Sequence, residues 1–395
     1  MSSPSVARQA SPQAVISTRG AERLHAGHVW VYRSDVRSVT GGTGDAVRVL
    51  DDRNRFLGMA FYSDRSQIAL RLLTRDDVTI DRPFLAGRIR SAAAFRSSVV
   101  QDSEAFRLIY SEADQLPSLI VDRYADYLVI QTLSQATERR KSEIVEILVE
   151  QFSPRGILER NDPKVRLLEG LDQKVSLLYG EVPTEVHASM NGIRFCFDLF
   201  HGQKTGGFLD QRENLRAAAA LAHGEALDCF TYNGGFALHL AKQCTQVEAL
   251  DLSPLAVEAG RRNQQLNGIE NVTFRDANAF DVLKAYDDSG RRFDTIVLDP
   301  PAFAKNKASV EAARRGYKEI NLRALKLLRP GGYLITCSCS HHIPEYLFFD
   351  IVGEAAMDAR RSVAVVDRRT QARDHPILLT VPETHYIKCL ILRIL

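Results

Sequence analysis

Four aspartates recur at near-equal spacing in the C-terminal half of the chain: Asp228, Asp251, Asp276 and Asp299, separated by 23, 25 and 23 residues. Each closes a short apolar run, and each run is followed by a stretch with helical periodicity. The runs 226–229, 247–250, 272–275 and 295–298 precede helical patterns over 237–243, 254–267, 278–286 and 310–328, and a fifth run follows at 332–337. This alternation specifies βαβ units and a mainly parallel, doubly wound sheet. The carboxyl ends of such strands share one edge, and ligands bind at that edge. One aspartate there is a common helix cap. Four in register repel one another unless a ligand supplies donors: hydroxyls, an amine, a positive charge.

The turn after the first run reads Asp228-Cys-Phe-Thr-Tyr-Asn-Gly-Gly-Phe236. Gly234 and Gly235 allow backbone to approach a ligand closely. The turn is not the Gly-x-Gly-x-x-Gly dinucleotide fingerprint, and no Gly-Lys-Thr phosphate loop is present, so nicotinamide and nucleoside triphosphate readings weaken. Asp251 is spaced to hold ribose hydroxyls. A ribose-binding acid without a pyrophosphate loop points to an adenosine cofactor lacking phosphates, and S-adenosylmethionine fits.

Three further segments carry chemistry. Asp299-Pro300-Pro301-Ala302-Phe303 is a rigid loop, since two prolines fix φ and remove donors. Phe303 is a candidate for stacking on an unpaired base, or else a packed residue of the turn. Thr336-Cys337-Ser338-Cys339-Ser340-His341-His342 follows the fifth run. Cys337 is expected still to pack in the strand while Cys339 has reached the open edge, where a thiolate is a candidate nucleophile if a donor or cation lowers its pKa; the other reading is two small buried residues. His341 and His342 could tune the thiol, contact phosphate or do neither. The third segment, His201-Gly-Gln-Lys-Thr-Gly-Gly-Phe-Leu-Asp-Gln-Arg212, leads into a helix near Asp210. Its Lys204 and Arg212 could grip a carboxylate.

The 395 residues exceed one ordinary core, and three segments follow a disordered tail over 1–12. Residues 13–95 hold short alternating runs (14–18, 29–33, 46–50, 56–62, 67–73) punctuated by glycine, then a helix over 82–99: a small β-barrel. Residues 96–190 mix strands at 106–110, 118–121, 127–133, 156–159 and 175–178 with a helix over 137–152, an α+β domain. Residues 191–395 form the doubly wound domain. Residues 1–100 contain fifteen arginines, no lysine and nine acids, a net charge of +6 that suits a phosphate backbone. The six cysteines include no Cys-x-x-Cys pair, so no metal site is expected. No apolar run reaches bilayer-spanning length and no signal segment opens the chain, so the expectation is a cytoplasmic protein without membrane contact.

Together, residues 202–212, 228–236, 299–303 and 336–340 resemble the large-subunit ribosomal RNA cytosine-5 methyltransferases with an N-terminal PUA domain. Arg23-Leu-His-Ala-Gly-His-Val-Trp-Val-Tyr32 is similar to the opening of that PUA domain, and the likeness covers nearly the whole chain. The resemblance implies a PUA-like β-barrel, an α+β central domain and a Rossmann-like S-adenosylmethionine domain. It implies cofactor contacts from Gln203, Lys204, Thr205, Phe208, Asp210, Arg212, Asp228, Phe230, Tyr232, Asn233, Gly234, Asp251, Asp276, Ala277 and Asp299, with Asp251 at the ribose, Asp276 by the adenine and 202–212 over the methionine end. It implies Cys339 as the nucleophile that adds to carbon 6 of an unstacked cytosine, with Asp299 hydrogen-bonded to the ring edge. Large-subunit (23S) rRNA is the implied partner; the oligomeric state stays open, a homodimer included. Many RNA cytosine-5 methyltransferases carry a second Cys in the Asp-Pro motif. Pro300-Pro301-Ala302 has none, which leaves the base at carbon 5 unidentified. Two other readings compete: methylation of a guanine or an exocyclic amine without a cysteine nucleophile, as in related Asp-Pro-Pro-x-Phe enzymes, and an inactive fold serving as an RNA-binding module. A small-molecule methyltransferase is disfavoured by the basic N-terminal region.

Overall fold

The computed structural model describes residues 12–304 and 306–395; most of the expected tail over 1–12 lies outside them. Three layers of architecture follow one another along the chain. The first is a six-stranded sheet in the order Trp30–Tyr32, Ile68–Thr74, Phe56–Tyr62, Ala46–Leu50, Gln13–Ile16, Val36–Val39. Its opening strand stops at Ile16, short of the expected 18, because the Ser17 hydroxyl accepts from Gly20 N and caps a helix, Thr18–His25. The helix Arg82–Val99 forms as expected, with Asp81 as its cap.

The central domain is a five-stranded sheet, Ala105–Tyr110 to Lys174–Gly180, backed by helices. The helix expected over 137–152 is two: Gln135–Arg139 and Lys141–Phe152. They break at Arg140, whose guanidinium lies 4.5 Å from the Phe61 ring and bonds the Gly44 carbonyl. Contact with the first domain overrides helical propensity there. A buried Arg71–Glu169 pair at 2.8 Å joins the same two domains. A hairpin, Val186–Met190 with Ile193–Phe197, then leads onward. Asn191 and Gly192 both have positive φ, the conformation a two-residue hairpin turn requires.

The third layer is a seven-stranded sheet. Its order is Val272–Asp276, Gln246–Asp251, Glu225–Cys229, Phe293–Leu298, Leu328–Ser338, Lys388–Ile394, Val363–Arg369. The first five are parallel, as the alternation dictates, and the last two are antiparallel additions. Alternate residues feed two cores: Ala226, Val247, Ala249 and Val297 on one face, Leu227, Cys229, Leu250 and Leu298 on the other. Burial of both faces explains why these strands read as continuous apolar runs. Chain order reverses on either side of Glu225–Cys229, and the crevice at that switch point is where such folds hold ligands.

Candidate active site

Three of the four aspartates end their strands or follow them directly; Asp228 is the penultimate residue of its own. Asp251 and Asp276 face each other across the sheet register. Asp251 accepts from the backbone N–H of Tyr232 and of Ser253, both at 2.9 Å. Asp276 is exposed at the rim, and Ala277 N donates to the Asp251 carbonyl at 2.9 Å. Asp228 is buried. One of its oxygens accepts from the Thr231 hydroxyl at 2.6 Å and from Ala237 N at 2.9 Å, and the other has no partner among the described residues. Burial, with the nearby charges of Asp299 and Asp251, pushes its carboxyl up to about 7.

The intervening loop is strained. Phe230, Tyr232 and Gly234 have φ of 68°, 51° and 88°. At Gly234 a Cβ would also meet Phe274 Cζ at 2.9 Å, so both backbone and space demand glycine. Left-handed non-glycine residues cost free energy, and they cluster where a loop is shaped for a ligand.

The segment 202–212 is folded over this loop. Gln203 N donates to the Tyr232 hydroxyl at 3.2 Å, and the Phe208 ring meets Tyr232 edge-on at 5.1 Å. Lys204 lies over Phe208 at 4.6 Å and pairs with Asp210. Asp210 is buried and also accepts from the Tyr386 hydroxyl at 2.7 Å; its second oxygen has no partner among the described residues. Burial alone would raise its carboxyl, but the charges of Lys204 and His375 hold it down at about 2. Two of the residues expected at the cofactor have partners within the protein. The Thr205 hydroxyl donates to Asp122 at 2.6 Å and pairs with Tyr124 at 3.0 Å, seating the segment on the central domain. Arg212 is buried against Asp374 at 2.9 Å, where it grips a carboxylate of the chain itself. Asn233 is largely buried, and its carbonyl accepts from Asn263 at 3.0 Å.

Asp299 accepts from Gln211 Nε2 at 3.0 Å. Burial, with the charge of Asp210, pushes it up to about 7. The Cys339 thiol lies one residue past the fifth strand, 3.9 Å from the Pro300 carbonyl, and is half-buried. Cys337 is buried in the strand opposite Cys389. Burial and the Asp299 charge push the Cys339 thiol up to about 11, while Lys204 and Lys388 act the other way. Phe303 packs on Tyr317 at 4.6 Å and Phe280 at 6.0 Å, so it belongs to the turn rather than standing free for a base. His341 is exposed and meets His342 edge-on.

Sequence reasoning missed Gln211, Tyr386 and Lys388. Gln211 lay within a motif already singled out. The other two sit on or beside an apolar run whose pattern says strand and nothing more. Among the described residues, Glu185, His187 and Cys196 bring ligand atoms within 4.8 Å of one another, but Arg262 already donates to Glu185.

The buried, unpartnered oxygens of Asp228 and Asp210, with exposed Asp276 at the rim, make an edge rich in acceptors and poor in donors. S-adenosylmethionine brings an amine, ribose hydroxyls, an adenine amino group and a positive sulfonium, and fits that deficit. Replacing Asp228 by asparagine is expected to stabilise the cofactor-free protein by about 2 kcal/mol at high pH. The carboxyl is raised in the folded state, so its favourable contribution is complete only in acid and is lost between about pH 4 and 7. The gain in melting temperature therefore grows across that window and levels off above it. A uniform loss at every pH would contradict this.

Two family models match the chain: a PUA-like domain over residues 15–75 and an S-adenosylmethionine-dependent methyltransferase over residues 169–393. The chain is 42% identical over 387 residues to the ribosomal RNA large subunit methyltransferase I of Shewanella frigidimarina, spanning 95% of this chain and 98% of the relative. The protein of that name from Vibrio cholerae is 38% identical with the same coverage. Among solved structures, an S-adenosylmethionine-dependent methyltransferase chain from Streptococcus mutans superposes with a TM-score of 0.81 at 18% identity, covering 96% of this chain and 99% of that one. The crystal structure of SMU.776, complexed with SAH, gives 0.83 at 19% identity with the same coverage. At such identities the likeness speaks for the fold.

Proposed function

Because the chain belongs to the S-adenosylmethionine-dependent methyltransferases, in the family of the ribosomal RNA large subunit methyltransferases I, we propose that it forms 5-methylcytosine in large-subunit rRNA through a covalent adduct on Cys339. The reaction would take place in the cytoplasm, on a cytosine turned out of its stack. The observation that carries this reading is the approach of Cys339 Sγ to the Pro300 carbonyl at 3.9 Å, which sets a thiol beside Asp299 at the cofactor edge.

When bound, S-adenosylmethionine supplies an electrophilic methyl group. Asp251 would take the ribose hydroxyls, Asp276 and Ala277 the adenine, and the 228–236 loop with Lys204, Phe208 and Asp210 the methionine end. The Cys339 thiolate would add to carbon 6 of cytosine, and the displaced electron pair would enrich carbon 5. Asp299 is raised to about 7, so its protonated form is accessible near neutrality and can donate to the ring edge as charge builds there. After methylation, the carbon-5 proton would pass to water, and the electron pair of that C–H bond would re-form the 5,6 double bond and expel the Cys339 thiolate. The basic N-terminal domain would grip phosphates and orient the rRNA.

The test is transfer of label from S-adenosylmethionine to rRNA lacking its modifications, followed by nucleoside analysis. Label is expected in 5-methylcytosine. Label in a methylated guanine or an exocyclic amine would sink the adduct mechanism.

A further inference from the structure

Lys388 is a buried cation that the reaction scheme leaves without a task. It stands on the antiparallel strand Lys388–Ile394, opposite Ser338, and is 4% exposed. Its ammonium donates to the Ser340 carbonyl at 2.7 Å and the Tyr386 carbonyl at 3.0 Å, and to no carboxylate among the described residues. Burying an ammonium without an acid is costly, and its position draws attention to what it faces. Ser340 is the residue after Cys339, so the charge is anchored to the turn that presents the thiol.

Four charged groups bear on that thiol: Asp299 and Asp210 oppose a thiolate, Lys204 and Lys388 favour one. Lys204 is already paired with Asp210, so the two largely cancel. Lys388 is then the uncompensated positive charge against Asp299. On its own side it feels Cys339 and Glu345, and burial pushes it down to about 8, so it is still mostly charged at neutrality.

We propose that Lys388 is a positioning residue: its ammonium fixes the Cys339–Ser340 turn and supplies the charge against which the Cys339 thiolate forms. This rests on the reading of Cys339 as the nucleophile. The step is a deprotonation in which the S–H bond breaks, the electron pair stays on sulfur, the proton leaves to water and Lys388 remains an ammonium. Thiolate and ammonium stabilise each other, so each raises the charged fraction of its partner.

The test follows alkylation of Cys339 by iodoacetamide across pH, read by peptide mass spectrometry, with half-buried Cys196 as internal control. Lys388→Met is expected to slow alkylation of Cys339 about tenfold at pH 7, where Lys388 is charged, the difference from wild type fading as pH rises through about 8. The Cys196 profile stays put, and Lys388→Arg restores most of the rate. A Cys339 profile unchanged in a folded Lys388→Met variant would overturn the proposal. Should that variant fail to fold, Lys388→Arg serves alone: its cation does not titrate, so alkylation of Cys339 above about pH 8 is expected to outpace the wild type, and coincident profiles would overturn the coupling. Neither readout uses methyl transfer. A moved profile with no 5-methylcytosine in rRNA would therefore fail the proposed reaction and leave the pairing standing.

Discussion

Cys339→Ala is expected to lower methyl transfer to rRNA by about a thousandfold or more, a barrier increase of about 4 kcal/mol. Binding of S-adenosylmethionine, followed by calorimetry, is expected to stay within about twofold, because the thiol's hydrogen-bond partner among the described residues is the Pro300 carbonyl and not a residue assigned to the cofactor. The fold should barely respond. The thiol is half-buried and its recorded contact is the 3.9 Å approach to the Pro300 carbonyl, so its removal is worth about 1 kcal/mol or less. Cys337→Ala is the contrasting case. That side chain is 1% exposed in the strand facing Cys389, and its loss leaves a small void. The Cys337→Ala protein should therefore be less stable, with activity per folded molecule retained. If Cys339→Ala kept its activity, the adduct would be wrong and a guanine or an exocyclic amine would become the target.

Arg212→Met is expected to destabilise the cofactor-free protein by about 3–5 kcal/mol, seen as a fall in melting temperature of about 10 °C. Asp374 is fully buried, accepts from Arg212 Nη2 at 2.9 Å and from Arg107 N at 2.8 Å, and lies 3.5 Å from His375. Burial alone would raise its carboxyl. The charges of His375 and Arg212, with the Arg107 N–H, hold it well below the ordinary range. A depressed carboxyl contributes stability that is present above its unfolded value, near pH 4, and lost as pH falls further. The deficit of Arg212→Met should thus be largest near neutrality and shrink in acid. If the variant kept its stability and lost only cofactor affinity, the arginine would belong to the ligand rather than to the scaffold.

These two residues mark the border between what was legible in the chain and what was not. The parallel sheet was legible because burial on both faces imposes apolar runs, crossover helices impose period 3.6, and together they leave a spacing of 23–25 residues between strand ends. The acidic edge followed from that spacing. The hairpin turn at Asn191-Gly192 was readable too, since few dipeptides accept two positive φ values, but it went unread. Apolar pattern could not reveal that residues 363–369 and 388–394 return antiparallel to close the sheet, because a buried strand reads the same in either direction.

Composition and spacing thus determined the class of fold, the acidic edge proposed to hold the cofactor and the segments that meet there. Only the tertiary structure decided the allotment of charges among those segments. Arg212 and Thr205 sit in the same motif as Lys204 and Asp210, yet they turn to Asp374 and Asp122, residues 162 and 83 positions away. Gln211 reaches Asp299 across 88 positions, and Lys388 reaches the thiol turn across 48. The reason is physical: local periodicity records which side of an element is buried, whereas the partner of a buried charge is set by whichever distant element packs against it.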